Sequence, residues 1–285
     1  MIGNILLVAS LIWREATRRR LLPTVAIFSL VLIGATAWGL NRIATFHNPS
    51  GHTISHYELT VLTSVLVVMM AFMFCIIVSL VSAFLGALSM GVEIENGILL
   101  AIVPRPLRRF EIVLGKLLGN IFLMAAYTIV IGAIELAVVR GVTGYVPPHP
   151  VVALLYLTGV GAVTLLITMC LSVRVSAVAA GFAAIVLFGL ARIAGFADTI
   201  ASALNNTAVQ QASLIVSLVV PSDGLWRGAA FALEPAAMVG LGGAVQRGNP
   251  FIALAPPTYA YLAWSAAWAI AFVIATIALF ARRDL

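Results

Sequence analysis

The sequence LTVLTSVLVVMMAFMFCIIVSLVSAFLGALSM occupies residues 59–90 and contains no charged side chain. As one continuous α-helix, these 32 residues would measure about 48 Å. The hydrocarbon core of a bilayer is only about 30 Å thick. The segment therefore predicts a membrane-spanning helix that protrudes from the bilayer.

The rest of the chain shares this apolar character. Hydrophobic residues make up 62% of the 285 residues and charged residues only 9%, with a mean hydropathy of +1.13, whereas soluble domains carry about 25% charged residues. The apolar runs lack the period-two alternation of membrane β-strands. We therefore predict an all-α membrane protein with six transmembrane helices, at residues 21–40, 59–90, 112–139, 151–171, 175–197 and 258–280.

Two segments outside these spans are expected to carry further helices. Residues 4–20 place Val8 and Ile12 on one helical face and predict an N-terminal interfacial helix that lies along the membrane. Segment 198–257 is broken by polar residues, prolines and a glycine cluster, and its apolar stretch 212–220 is too short to cross. We expect short outer helices there, interfacial or re-entrant, before the last span.

A seventh crossing at residues 228–245 is the alternative for this outer segment. Its centre carries Glu234 and Pro235. A carboxylate in hydrocarbon and a proline inside a helix both make such a crossing costly. Six spans therefore remain the prediction.

The positions of lysine and arginine predict the orientation of the spans. With the N-terminus inside, eleven of the 16 basic residues fall in inner segments and five in outer ones, which is the distribution that the positive-inside rule favours. We expect a multi-pass protein of the inner (plasma) membrane with both termini in the cytoplasm. The net charge of +6 follows the ends of apolar segments, so no nucleic-acid partner is predicted.

The segment MGVEIENGILLAIVPRPLRRFEIVLGK, residues 90–116, separates the second and third spans. Its charged residues cannot lie in hydrocarbon, so it must project into the cytoplasm. Acidic residues near one end, basic residues near the other and apolar residues 98–100 between them suit a docking surface for another protein. The alternative is that Arg105, Arg108 and Arg109 only fix the topology and bind anionic lipid headgroups.

The sequence contains no phosphate-binding loop. A Walker A loop needs a lysine followed by serine or threonine in a glycine-rich turn, and the only lysine, Lys116, is followed by Leu117. The six apolar runs also contain no histidine. We therefore expect no enzymatic activity and no cofactor in this chain, and any ATP and Mg²⁺ would be bound by another polypeptide.

Ionisable residues lie near the outer ends of two spans. Glu135 is expected to pair with Arg140 or to reach the lipid headgroups, and Arg192 and Asp198 are expected to serve as similar anchors. A role in a transport path is the alternative for these residues.

The histidines fall in segments that we assign to the outside. His52 and His56 would share a helical face at i, i+4, with Glu58 close by, and are weak candidates for a metal or pH-sensing cluster. The spacing fixes no further ligand. We therefore predict no metal site.

The charged residues of segment 90–116 form the pattern E-x-E-x-G followed by P-x-x-R-x-E-I-x-x-G-K. The residues that carry it are Glu93, Glu95, Gly97, Pro106, Arg109, Glu111, Ile112, Gly115 and Lys116. This pattern resembles the cytosolic loop of the permease subunits of type-2 ABC exporters, a family that includes a permease serving nitrous-oxide reductase maturation. The amphipathic N-terminal helix and the ending FARRDL are similar to the family as well, so the resemblance covers the whole chain.

By this resemblance, residues 91–111 are the cytosolic coupling loop, and its short coupling helix docks in a cleft of a separate ABC ATPase subunit. The residues assigned to docking are Glu93, Glu95, Gly97, Pro106, Arg108, Arg109, Glu111 and Lys116. The resemblance also implies two permease copies, identical or homologous, in the lipid bilayer with two ATPase subunits that bind ATP and Mg²⁺. Such exporters work by alternating access, and we expect a hydrophobic or amphipathic substrate.

Two departures from the family pattern affect the loop. Ile98 stands where threonine is frequent, and Pro104 and Arg105 are extra before Pro106, which predicts a loop shaped for its own ATPase. The alternative functions are an ATP-independent channel or secondary transporter and a polytopic membrane enzyme. The first should show ionisable residues at mid-membrane or paired broken helices in two related halves.

Overall fold

The computed structural model describes residues 2–18, 21–44, 56–95, 108–235, 249, 251–253 and 255–282. These residues form helices joined by turns, and they contain no β-strand. Six of the described helices are long and apolar enough to cross a membrane. This confirms the prediction of an all-α protein with six apolar helices that are candidates to span a membrane.

The helices are numbered here in chain order. They are α1 (Ile2–Arg18), α2 (Leu21–Ala44), α3 (His56–Gly86), α4 (Arg109–Thr143), α5 (Pro150–Ser172), α6 (Ala177–Ala203), α7 (Thr207–Val219), α8 (Ser222–Leu233) and α9 (Tyr259–Ala281). The six candidate spans are α2 to α6 and α9. Helix α3 continues through a π-helical segment, Ala87–Val92, into a last turn, Glu93–Glu95.

Helices α3 and α5 form the centre of the bundle. In the most apolar stretch of each helix, half of the residues of α3 and 56% of those of α5 are buried, but only 17% of those of α9. At Gly161 in α5, an added Cβ would lie 2.6 Å from the Sδ atom of Met124 and 2.8 Å from Cγ1 of Val78. The absence of a side chain at Gly161 therefore lets α3, α4 and α5 approach one another closely, as small residues do in membrane bundles.

Helix α1 packs against α4. Val8 and Ile12 are buried, and Gly119 of α4 leaves room for Ile12, because an added Cβ there would lie 3.0 Å from Cβ of Ile12. Other apolar residues of α1, such as Leu7 and Leu11, are exposed. This distribution is compatible with a helix whose outer surface meets lipid, and its interfacial position remains a prediction.

Helices α7 and α8 occupy part of the segment predicted to hold short outer helices. They meet at an angle of 97°; α7 packs along α6, and α8 packs against α5. Glu234 follows the last residue of α8, and residues 236–245 of the alternative crossing lie outside the described residues.

Three aromatic side chains from one face of α9 satisfy the last carbonyls of α7. The Tyr261 hydroxyl donates to Ser217 O (3.3 Å), Trp264 Nε1 to Leu218 O (3.0 Å) and Trp268 Nε1 to Val219 O (2.8 Å). The carbonyls at a helix C-terminus have no partner within the helix. The contacts of this aromatic face therefore hold the end of α7 against α9.

The C-terminus of α8 is held by the turn between α4 and α5. The hydroxyl of Tyr145 donates to Leu233 O at 2.7 Å, and the backbone N–H of His149 donates to Ala232 O at 3.1 Å. Burial raises the pKa of Tyr145, and the nearby Glu234 adds to the effect. The hydroxyl therefore stays protonated and able to donate.

We expect Trp268→Phe to lower the free energy of unfolding by about 1 kcal/mol, because Val219 O loses a donor whose side chain is buried. Trp264→Phe is the matched control. Trp264 makes the same type of bond but is 45% exposed, against 8% for Trp268, so the loss at Trp264 should be smaller. Unfolding in mixed micelles measures both changes, and equal losses would contradict the role given to burial.

Candidate coupling site

Lys116 and Glu93 form a buried ion pair where α3 ends and α4 begins, which we call the hairpin end of the bundle. Lys116 is 3% and Glu93 is 8% exposed. The ammonium of Lys116 also donates to the carbonyl of Ser89, in the π-helical segment. A buried charge is stable only when it is paired and hydrogen-bonded, so these two bonds account for the position of the only lysine.

Asn120 extends this contact by one turn of α4. Its Nδ2 donates to the Ser89 hydroxyl at 2.8 Å, and both side chains are buried. Lys116 and Asn120 are four residues apart and therefore lie on one face of α4. Together they fix α4 to the π-helical segment. Sequence reasoning missed Ser89 and Asn120, although the i, i+4 spacing of Lys116 and Asn120 in an apolar run was a usable signal.

Glu95 connects the end of α3 to the beginning of α6. The backbone N–H of Ala177, the first residue of α6, donates to Glu95 Oε1 at 2.7 Å. A carboxylate is stabilised at a helix N-terminus, where N–H groups are unsatisfied and the helix dipole is positive. Gly91 allows the close approach, because an added Cβ would lie 2.6 Å from Cβ of Ala177.

Arg109 connects the beginning of α4 to the end of α9. Its guanidinium donates to Ala281 O at 2.9 Å and to Phe280 O at 3.4 Å. These carbonyls lie in the last turn of α9, where the helix dipole favours a cation. Glu111 caps α4 itself, since its Oε2 accepts from the backbone N–H of Arg108 at 3.0 Å.

The residues predicted to dock an ATPase thus fall into different environments. Glu93, Glu111 and Lys116 are buried and bind their own chain, whereas Glu95 and Arg108 are exposed. Arg109 is partly buried. The remaining two predicted residues, Gly97 and Pro106, lie in 96–107, outside the described residues.

Glu135 turns into the bundle. It is 6% exposed and accepts a hydrogen bond from Thr36 Oγ1 of α2 at 3.2 Å, while the Arg140 side chain is exposed. The expected contact with Arg140 or the headgroups is therefore replaced by a contact between α2 and α4. A hydrogen-bonded partner is needed for a carboxyl group at this depth.

The structure offers no test of the histidine cluster. His52 lies outside the described residues, and His56 is the first residue of α3. Across the part of the chain that the structure describes, no group of three or more His, Cys, Asp or Glu residues could hold a metal ion. Both cysteines, Cys75 and Cys170, are free thiols.

Comparison with protein-family models and with curated proteins gives no match for this chain. The functional interpretation therefore depends on the motif of the loop and on the geometry of the hairpin end.

Proposed function

We propose that this chain is the permease subunit of an ABC transporter of the type-2 exporter kind. A separate ATPase subunit would dock on segment 90–116 and supply the energy of ATP. The chain itself would form the membrane path as one of two permease copies. The observation that carries the proposal is that three contacts at the hairpin end join the two helices that flank this segment to each other and to the ends of α6 and α9.

Each of these contacts offers a route for mechanical force. The Lys116–Glu93 pair joins α3 to α4, Glu95 joins α3 to α6, and Arg109 joins α4 to α9. A displacement of the loop would therefore act on four spans at once. Packed helices move as rigid bodies between discrete arrangements. A displacement at one end of a helix is therefore transmitted along the helix.

The same geometry separates two tasks among the predicted docking residues. Buried Glu93, Glu111 and Lys116 would keep the base of the loop rigid. Exposed Arg108 would contact the ATPase, and Arg109 would transmit the motion to α9. ATP-driven closure of the ATPase subunits would then bias the bundle between inward-facing and outward-facing or closed states.

The proposed substrate path is apolar. Helix α6 leaves the large side chains of Val178, Phe182 and Ile193 between 65% and 83% exposed. Surfaces of this kind suit a hydrophobic or amphipathic export substrate, a second permease copy or lipid. Alternating access of two permease copies would place such a face along the central path.

The test is affinity purification of the full chain from its native membranes in mild detergent, with mass spectrometry of the proteins that co-purify. We expect a P-loop ATPase, and we expect Arg108→Glu to weaken its retention about tenfold or more, as loss of a charged contact does. Arg140→Glu, an exposed arginine at the opposite end of α4, is the control and should retain the ATPase.

Arg109→Ala separates docking from transmission. We expect this variant to retain the ATPase but to couple ATP hydrolysis to transport poorly, because the hydrogen bonds from Arg109 to the end of α9 are lost. Transport by the purified chain without any ATPase would favour a channel or secondary transporter instead. If Arg108→Glu leaves both the complex and its turnover unchanged, segment 90–116 is not the docking site.

A further inference from the structure

A cavity of about 290 Å³ opens at the end of the bundle opposite to the hairpin end. It lies between α6, α7, α8 and the beginning of α9. This volume is much larger than a single water molecule needs. The polar residues that matter in its wall are Asp198, Asp223, Arg227 and Tyr261.

Four charged side chains form one network beside this cavity. Arg227 binds Asp223 through Nε (2.8 Å) and Asp198 through Nη2 (2.9 Å). Arg192, which is 5% exposed, approaches the other oxygen of Asp223 at 3.2 Å from the buried side. Two carboxylates and two guanidinium groups balance, so the network has no net charge. A ligand with a net charge would disturb that balance, whereas a zwitterion would not.

Two of these groups line the cavity and keep unused hydrogen-bonding capacity. The side chains of Asp198 and Arg227 are 33% and 36% exposed. Within the described residues, only Oδ2 of Asp198 is bonded, and Arg227 uses Nε and Nη2 but not Nη1. The cavity thus presents a carboxylate oxygen beside a guanidinium nitrogen. This pair matches a ligand that carries an ammonium group and an anionic group close together.

The chemistry of the wall favours a primary ammonium over a quaternary one. A quaternary ammonium is recognised by a cage of aromatic rings. Tyr261 is the only aromatic residue in the described wall of the cavity. Its hydroxyl is already used, because it donates to Ser217 O and accepts from the N–H of Gly224 at 3.2 Å. A primary ammonium needs only acceptors such as Asp198 Oδ1.

Exposed apolar and aromatic side chains border the cavity. Leu214 in its wall is 60% exposed, and Tyr259, next to the wall residue Thr258, is 92% exposed. Exposed aromatic and aliphatic side chains at the end of a span are typical of the headgroup level. Acyl chains could therefore lie along this surface while a headgroup enters the cavity.

We propose that this cavity binds the headgroup of an amine-bearing zwitterionic phospholipid of the phosphatidylethanolamine class. Asp198 accepts hydrogen bonds from the ammonium, and Arg227 donates to the phosphate. The site is separate from the proposed ATPase contact and requires no partner protein. Failure of one proposal therefore leaves the other standing.

The experiment uses the full chain in nanodiscs that contain equal amounts of phosphatidylethanolamine and phosphatidylcholine, followed by native mass spectrometry of the lipids that stay bound. We expect about tenfold more phosphatidylethanolamine than phosphatidylcholine, which corresponds to one charge-assisted hydrogen bond. Asp198→Asn should reduce this ratio to about one.

A second variant covers the possibility that Asp198→Asn disturbs the fold. Ala255→Phe fills the cavity from an exposed wall position and leaves all four charges in place, and it should abolish the preference as well. Arg140→Gln, which removes a cation outside the network, should keep the preference for phosphatidylethanolamine.

Equal retention of the two lipids by the unmodified chain, or a preference that survives both cavity variants, overturns the proposal. Displacement by soluble phosphoethanolamine at similar affinity would assign the site to a soluble zwitterion and overturn the lipid assignment.

Discussion

Replacing Lys116 by methionine is expected to lower the free energy of unfolding by about 3 to 5 kcal/mol, because it leaves the Glu93 carboxylate buried without a partner. The loss includes the bond from Lys116 to the carbonyl of Ser89. Such a loss is a large fraction of the stability of an ordinary protein. Unfolding in mixed micelles, followed by tryptophan fluorescence, measures the change.

The double variant Lys116→Met, Glu93→Leu identifies the cause. It removes both charges, and replacing a buried ion pair by apolar side chains is often neutral or stabilising. We therefore expect the double variant to regain most of the stability that the single variant loses. Arg140→Gln, an exposed cation in the same helix, should change stability by less than about 0.5 kcal/mol. A stable Lys116→Met variant would show that the pair is not buried.

Gly91→Ala is expected to separate the end of α3 from the beginning of α6. The added Cβ would lie 2.6 Å from Cβ and 2.7 Å from Cα of Ala177, so the backbone itself must move. Overpacking of this kind costs about 1 to 3 kcal/mol. The bond between Glu95 and the N–H of Ala177 should be lost as the helices move apart.

Gly34→Ala is the matched control for this substitution. Nothing lies within 4 Å of a Cβ added at Gly34, and alanine is the better helix former by up to about 1 kcal/mol. The Gly34→Ala variant should therefore be at least as stable as the unmodified chain. Equal behaviour of the two variants in thermal unfolding would mean that α3 and α6 are not in close contact at Gly91.

The spanning helices were predictable because length and hydropathy are properties of single segments. Residues 59–90 lie within the helix formed by α3 and its continuation to Glu95. The exact first and last residues of the helices were not predictable, since a helix continues into polar sequence when the residues at its ends find hydrogen-bonding partners. Glu95 and Glu111, both polar, lie in helices because each binds an N-terminal backbone N–H.

Pairing between distant residues was the part that the sequence did not reveal. Glu93 and Lys116 were both predicted as docking residues, but nothing in a separation of 23 residues indicates that they meet. Arg192 and Asp198 were predicted as anchors, and their partners, Asp223 and Arg227, belong to α8, whose position depends on a 97° bend. Tertiary geometry, not local pattern, decides such contacts.

The π-helical segment Ala87–Val92 determines how the residues that follow it, up to Glu95, are rotated about the helix axis. A π turn holds one residue more than an α turn, so conversion of this segment to α geometry would twist the last turn by about 100° about the helix axis. Glu93 would then point away from Lys116, and Glu95 away from Ala177. The π-helical geometry of this one segment is therefore what aligns the end of α3 with both α4 and α6.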